Sequence, residues 1–597
     1  MFMSKLATLV CLLLLGEWGI GLPTGSVALA QTWQTPFERS QGQASATYAE
    51  AIAYYQRLAE AYPEVHIEEA GPTDIGRPLH AVVVSDGTSS NPADLRRAGN
   101  RILLILNGIH PGEPCGIDAS MMLARDLVQQ AELQPLLQRL AVVIVPVYNI
   151  GGALNRGDWA RTNQVGPVAY GFRGNARNLD LNRDFIKADS RNARSFARLF
   201  HRWQPDLFID THTTNGADYP AVLTYIYTHP DKLPPALATY QQERLIPHMS
   251  AHMAEAGIPI SPYVNVFGRT PDDGGMAAFL DLPRYASGYA ALFQTLSVIT
   301  EAHMLKPFSE RVEATYHFLL GVAQHMNANH EALAAAIAAG KAEVRATERF
   351  AIHWETDRER VDSLLFHGYE GRYRPSAVTG QPRLYYDHSA PYQRNIPYYP
   401  YLKETTHSTR PVAYLIPQAY PELVERLQAN AIQLRRLSQD TVLTVEVSYI
   451  DAWESRSRPY EGHFFHDKVT VRRDTQAIAC YQGDWVAYTD QSGVAFLMHV
   501  LEPEAADSYF RWNFFDGILM RKEYYSAYVF EDEAAEMLAE DPVLRAAFAA
   551  EKARDSAFAA SPWRQLTYLY EHSRHSEPTY TRYPVYRWWG STALPLE

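Results

Sequence analysis

The sequence predicts an α/β domain on a mostly parallel or mixed sheet, followed by a second, α+β domain. Three observations carry this. Short apolar runs alternate with helical stretches through the first 345 or so residues, the pattern of strands and helices that build one layered sheet. Beyond about residue 345 the texture changes to Tyr- and Pro-rich segments and longer polar-apolar strands. A chain of 597 residues also exceeds what a single hydrophobic core organises.

The elements follow in order. In "TYAEAIAYYQRLAEAY", Thr47 and Glu50 have capping-box spacing and Tyr48, Ile52 and Tyr55 share one face, which predicts a helix. "GRPLHAVVVS" and "RILLILNG" are apolar strands, residues 116–130 a helix, and "LAVVIVPVYN" another buried strand. Phe196, Leu199, Phe200 and Trp203 stand at helical spacing in "FARLFHRW"; "PDLFIDTH" and "LSVITEAH" are later strands. The Ala-rich stretch from Glu331 to Val344 closes this domain as a helix. Further on, "PELVERLQANAIQLRRL" reads as an amphipathic helix, and "TVLTVEVSYI", "KVTVRR" and "DWVAYTD" as strands. The tyrosines from Tyr385 to Tyr401 are expected to pack at a seam between domains rather than face carbohydrate. No internal repeat is present. The domain reading is therefore 1–30 a signal peptide, 31–345 the catalytic domain, and 346–597 an accessory domain without an assigned role.

The signal peptide rests on Lys5 ahead of "LATLVCLLLLG", an apolar run too short to span a bilayer, and on Ala28-Leu29-Ala30 as a cleavage site before Gln31. The competing reading is an uncleaved anchor; Cys11 follows Val10 rather than a small residue, which argues against a lipidated cysteine. The mature protein is expected in the periplasm or outside the cell, with no stable membrane span after cleavage. Cys115 and Cys480 then remain, too few for a disulfide framework. A formal charge of -13 argues against nucleic acid or an anionic membrane as electrostatic partner.

In open α/β sheets functional groups collect where strands end at their carboxyl edge, and His110, His212 and Glu301 all follow such strands. "NGIHPGEP" sets His110 and Glu113 in one turn, able to offer two ligands to a single ion, and "IDTHTTNG" offers His212 as a third. A catalytic zinc needs three such N and O donors. Glu301, an ionisable group ending an apolar strand, suits a base beside the attacking water; His303, on the same side of the strand, is either a residue behind the site or a purely structural one. In "RGNARNLDLNRDF", Arg183 can grip a carboxylate through its planar fork, with Asn182 adding a second contact.

His110-x-x-Glu113, then Asn182-Arg183 within "DLNRDF", then His212 and Glu301 resemble, in order and approximate spacing, the motif series of the zinc carboxypeptidases related to carboxypeptidase A. The resemblance spans about residues 45–325. It implies a carboxypeptidase-like α/β/α domain with a mixed central sheet. It implies one zinc per chain on His110, Glu113 and His212, Glu301 as general base and later proton donor to the leaving amine, and Asn182 and Arg183 on the substrate's terminal carboxylate. The family's carbonyl-polarising arginine falls to Arg161 or Arg173, and its substrate-capping tyrosine to Tyr289 in preference to Tyr285. The implied activity is that of an exported metallocarboxypeptidase acting on peptides with a free C-terminal carboxylate. Two other functions fit parts of the pattern: a zinc amide hydrolase acting on N-acyl amino acids or murein peptides, and a non-catalytic peptide- or glycan-binding protein. The intact Glu301 argues against the last.

Overall fold

The computed structural model describes residues 33–214 and 216–597, so the signal-peptide reading lies outside the described residues. The N-terminal half is built on an eight-stranded mixed sheet of order β1-β2-β4-β3-β5-β9-β6-β7. Its strands are β1 (Val65–Pro72), β2 (Pro78–Val84), β3 (Arg101–Leu106), β4 (Leu140–Val145), β5 (Leu207–Thr214), β6 (Leu223–Tyr227), β7 (Ile260–Pro262) and β9 (Leu296–His303); β8 (Met276–Ala277) lies outside it. β4, β3, β5 and β9 run parallel, with antiparallel neighbours on both sides. All the residues of β3 except Arg101, and all those of β4, are buried, as strands covered on both faces require.

Helices cover both faces. α1 (Tyr48–Ala61) starts on the expected capping box between Thr47 and Glu50. It packs with α2 (Cys115–Gln129) and α4 (Phe308–Ala328) on one face, whose core includes Tyr55, Leu103, Leu127 and Phe318. On the other face, α3 (Arg191–Trp203) buries Phe196, Leu199, Phe200 and Trp203. α5 (His330–Ala346) closes the half, as its Ala-rich sequence predicts.

The second core does not stop at residue 346. One apolar cluster joins Leu104, Phe196 and Phe208 to Tyr414, Leu427, Phe496 and Tyr509, so the C-terminal half supplies part of the cover for the α3 face. That half comprises the pair β10 (Arg349–Thr356) and β13 (Leu402–Thr409) and a long hairpin of β11 (Asp362–Pro375) and β12 (Pro382–Tyr399). It also holds β14 (Ala413–Ile416), β15 (Arg435–Arg436), β16 (Thr441–Ser455), β17 (His466–Cys480), β18 (Trp485–Tyr488) and β19 (Tyr586–Trp588), which form a six-stranded sheet of order β15-β18-β14-β19-β16-β17, and helices between 527 and 571. The hairpin is joined to the N-terminal half where Tyr398 and Tyr399 pair with β8, and Tyr392 and Tyr398 pack against a small cluster that includes Tyr219 and Phe366.

One helix is shorter than its sequence suggests. The stretch beginning Pro421 is helical only to Ala429, because Asn430 caps Arg426 O through its carboxamide and Ala431 turns left-handed at φ 55°. Arg435–Arg436 then pairs with β18 instead (β15; β18 is Trp485–Tyr488). Cys115 and Cys480 are free and buried. Among the described residues no helix is long and apolar enough to cross a membrane.

Candidate metal centre and active site

The turn after β3 folds tightly, Glu113 N donating to His110 O at 2.8 Å. Gly112 is required within it, since a Cβ there would stand 2.7 Å from Arg161 Cδ and 3.0 Å from Gly171 O. His212 lies near the end of β5, in register with Glu301 on β9. The two strand ends and the turn bring three donors together. His110 Nδ1 lies 3.1 Å from His212 Nδ1 and 3.2 Å from Glu113 Oε1, and His212 Nδ1 lies 3.2 Å from Glu113 Oε2.

Each imidazole is oriented from behind by a carboxylate. His110 Nε2 meets Asp180 Oδ1 at 2.9 Å and His212 Nε2 meets Asp210 Oδ2 at 2.9 Å. Placing the ring protons on Nε2 leaves both Nδ1 lone pairs aimed at Glu113, an arrangement of three acceptors that a cation satisfies. Among the described residues this trio is the one His/Cys/Asp/Glu group placed to hold a metal ion, and the donor set suits zinc. The electrostatics agree. Burial opposes charge on His212, yet Asp210, Glu113 and Glu301 outweigh it and hold its proton affinity well above the ordinary value. A site that attracts a proton so strongly attracts a metal cation for the same reason.

The trio opens onto a cavity of about 590 Å³ that Glu301, Asn182, Arg183, Arg161 and Arg173 also line. Burial pushes the Glu301 carboxyl up to about 7, His212 opposing and Glu113 adding to the rise. Arg161 reaches Glu113 Oε1 with Nη1 at 2.7 Å and Thr213 O with Nη2 at 3.2 Å. Arg173 spans Asp180 Oδ2 (Nε at 2.9 Å) and Glu113 Oε1 (Nη1 at 3.4 Å). Both candidate arginines thus flank the donor set. Arg183 donates through Nε to Tyr460 OH at 3.0 Å and through Nη1 to Asn182 O at 2.8 Å, with its guanidinium 4.7 Å over the ring of Tyr285. Asn182 Oδ1 is buried without a protein partner.

The tyrosine assignment needs correction. Tyr289 is fully buried among Phe185, Phe200 and Phe293, and its hydroxyl is spent on Asn430 Oδ1 at 2.6 Å and His201 Nε2 at 3.2 Å. Tyr285, one turn earlier with extended backbone, lines the cavity, as does Tyr263. His303 does not line the cavity; it is stacked 4.2 Å from Tyr219 and bonded to Asp218.

The sequence reading missed Asp180 and Asp210. Asp210 sits two residues before His212 on one strand, so the period-2 rule places both on one face, and Asp180 opens the same short turn as Asn182. Tyr460 and Glu461 were beyond its reach, because 277 residues separate Tyr460 from Arg183.

Residues 51–252 match the zinc carboxypeptidase family, a span that holds His110, Glu113, Asn182, Arg183 and His212 and ends before Glu301. The chain is 23% identical over 498 residues to carboxypeptidase 2 of Trichophyton rubrum, covering 79% of this chain and 84% of that protein. It is also 23% identical over 427 residues to carboxypeptidase 2 of Trichophyton tonsurans, covering 67% and 72%. Among solved structures it is similar to a metallo-carboxypeptidase from Burkholderia cenocepacia, at 17% identity and a TM-score of 0.35, covering 46% of this chain and 68% of that one.

Proposed function

We propose, from the match of residues 51–252 to the zinc carboxypeptidase family, that the chain is an exported enzyme of that family that removes the C-terminal residue of peptides. The observation that carries the reading is Arg183 beside Asn182, facing the same cavity as the donor trio and Glu301. A guanidinium already steadied on one side reads a terminal carboxylate through a charge-assisted pair. His110, Glu113 and His212 would hold the zinc, which supplies Lewis acidity to water and to the scissile carbonyl. Glu301 takes a proton from the attacking water and returns it to the leaving amine. Arg161 and Arg173 bring positive charge to the neighbourhood in which the carbonyl oxygen becomes anionic. Tyr285 covers the substrate in place of Tyr289. Export rests on the apolar N-terminal run and its Ala-x-Ala site.

The test is Arg183→Ala. Loss of a charge-assisted pair costs a few kcal/mol, so kcat/KM on free-acid peptides is expected to fall by about a hundredfold or more. Peptides with amidated C-termini should already be poor substrates of the wild type, and the variant should hurt them far less. Equal cleavage of acid and amide forms by the wild type would defeat the carboxypeptidase reading and leave the site hydrolytic as an endopeptidase or amidase.

The cavity also bears on which residue is released. Its charged and imidazole lining among the described residues is His110, Glu113, Arg161, Arg173, Arg183, His212 and Glu301, all engaged at the reacting end. The remaining wall is formed in part by Ile226 and Ile299, paired in register, and Phe279. Peptides ending in Phe or Leu are therefore expected to be cleaved with kcat/KM at least about tenfold above those ending in Asp or Lys. A library digest read by mass spectrometry decides this, and preferential release of a charged residue would reject it.

A further inference from the structure

The C-terminal half reaches into the site with one short segment. Glu461 Oε2 accepts the Asp180 N–H at 2.7 Å, at the start of the turn Leu181–Arg183, within which Asn182 N donates to the Asp180 carboxylate. Its neighbour Tyr460 accepts the Nε–H of Arg183 at 3.0 Å. Both contacts come from residues held rigidly. The Tyr460 ring stacks on the fully buried Trp512 at 5.8 Å, and the guanidinium of Arg284, paired with Asp507 at 2.8 Å, lies 5.6 Å over the same ring. His463, at the far end of the segment, is bonded to Asp189 at 2.7 Å. Glu461 itself adopts φ 51°, a conformation that costs a non-glycine residue about 1 kcal/mol or more and persists where surroundings enforce it.

The geometry points to Tyr460 and Glu461 as positioning residues of the peptidase site, holding Arg183 and its turn in the pose that receives a substrate carboxylate. This rests on Arg183 being the carboxylate-binding residue. The physical need is specific. Arg183 Nη1 already lies 3.8 Å from Asp180 Oδ2, so without the Tyr460 hydroxyl the guanidinium is drawn toward Asp180, away from substrate. Holding an arginine in its binding rotamer before substrate arrives also removes an ordering cost from binding. The C-terminal half would then set how tightly the substrate's end is read, while the catalytic half carries the chemistry.

The experiment uses the full-length, zinc-loaded protein. Tyr460→Phe keeps the ring stack and removes only the hydroxyl. On free-acid peptides KM is expected to rise about tenfold while kcat stays within about threefold, and inhibition by the free product amino acid, for example L-phenylalanine, should weaken by the same factor. Amidated peptides, zinc content and Tm should be unchanged. Glu461→Ala, measured the same way, should raise KM on free-acid peptides by at least about threefold while Glu461→Gln, which keeps an acceptor for Asp180 N–H, stays near wild type. This pair decides the matter if Tyr460→Phe lowers Tm. Wild-type KM and product inhibition in a stably folded Tyr460→Phe, or equal losses on acid and amide peptides, would overturn the inference while an acid-selective Arg183→Ala left the reading of Arg183 standing. If Arg183→Ala itself fails to separate acid from amide, that reading falls and this inference falls with it.

Discussion

His110→Ala is expected to remove both the zinc and the activity while leaving a folded protein. Wild-type protein should bind about one zinc per chain and gain thermal stability with added zinc, because an ion that binds only the folded state raises Tm by mass action. Deleting one of three donors leaves a pair too weak for a resident ion, so metal content should fall toward zero and the zinc-dependent rise in Tm should disappear. His110 is a cleaner choice than His212. Removing His212 strips Asp210, fully buried and with Oδ1 already unpartnered, of the ring at Oδ2, and an uncompensated buried charge costs about 3–5 kcal/mol. Asp180 loses less when His110 goes, since Arg173 still holds it at 2.8 Å and the Asn182 amide at 2.9 Å. His212→Ala should therefore lose stability as well as metal. Full zinc occupancy in His110→Ala, measured by elemental analysis after dialysis, would reject the ligand assignment.

The convergence of the three donors was legible because strand ends are. "RILLIL", "PDLFID" and "LSVIT" announce buried strands, and parallel strands deliver whatever follows them to one edge of the sheet, so His110, His212 and Glu301 converge without any knowledge of the register. The error at Tyr289 has the opposite origin. Tyr285 and Tyr289 sit one helical turn apart in the same short segment, and what sends one to the cavity and the other to the core are His201 and Asn430, the latter 141 residues on from Tyr289. The change in composition near 345 does coincide with a boundary between elements, Ala346 ending a helix and Arg349 beginning a strand. What composition does not carry is that Tyr414, Phe496 and Tyr509 complete a core begun by Phe196 and Phe208, or that Tyr460 supports Arg183. Local periodicity fixes which face of an element is apolar, whereas the choice of partner for that face is made by long-range packing.

Glu301→Gln should keep the zinc and lose the turnover. The substitution preserves the shape of the side chain and leaves His110, Glu113 and His212 untouched, so metal content and Tm should match wild type. The amide cannot accept the proton of the attacking water, and general-base assistance accounts for about two to four powers of ten, so kcat should fall at least about a hundredfold. The same residue sets the acid side of the pH profile. Only the ionised form is a base, so kcat/KM must fall as pH drops through the Glu301 pKa. Burial raises that pKa to about 7 in the protein alone, and a cation on the neighbouring donors favours the carboxylate and draws it down. The acid limb is therefore expected between about 4.3, the value of a free glutamate, and 7. It should shift when zinc is replaced by another active divalent ion, and the residual activity of Glu301→Gln should lack it. A variant with near-native kcat, or one that retains the wild-type acid limb, would place the base on another residue.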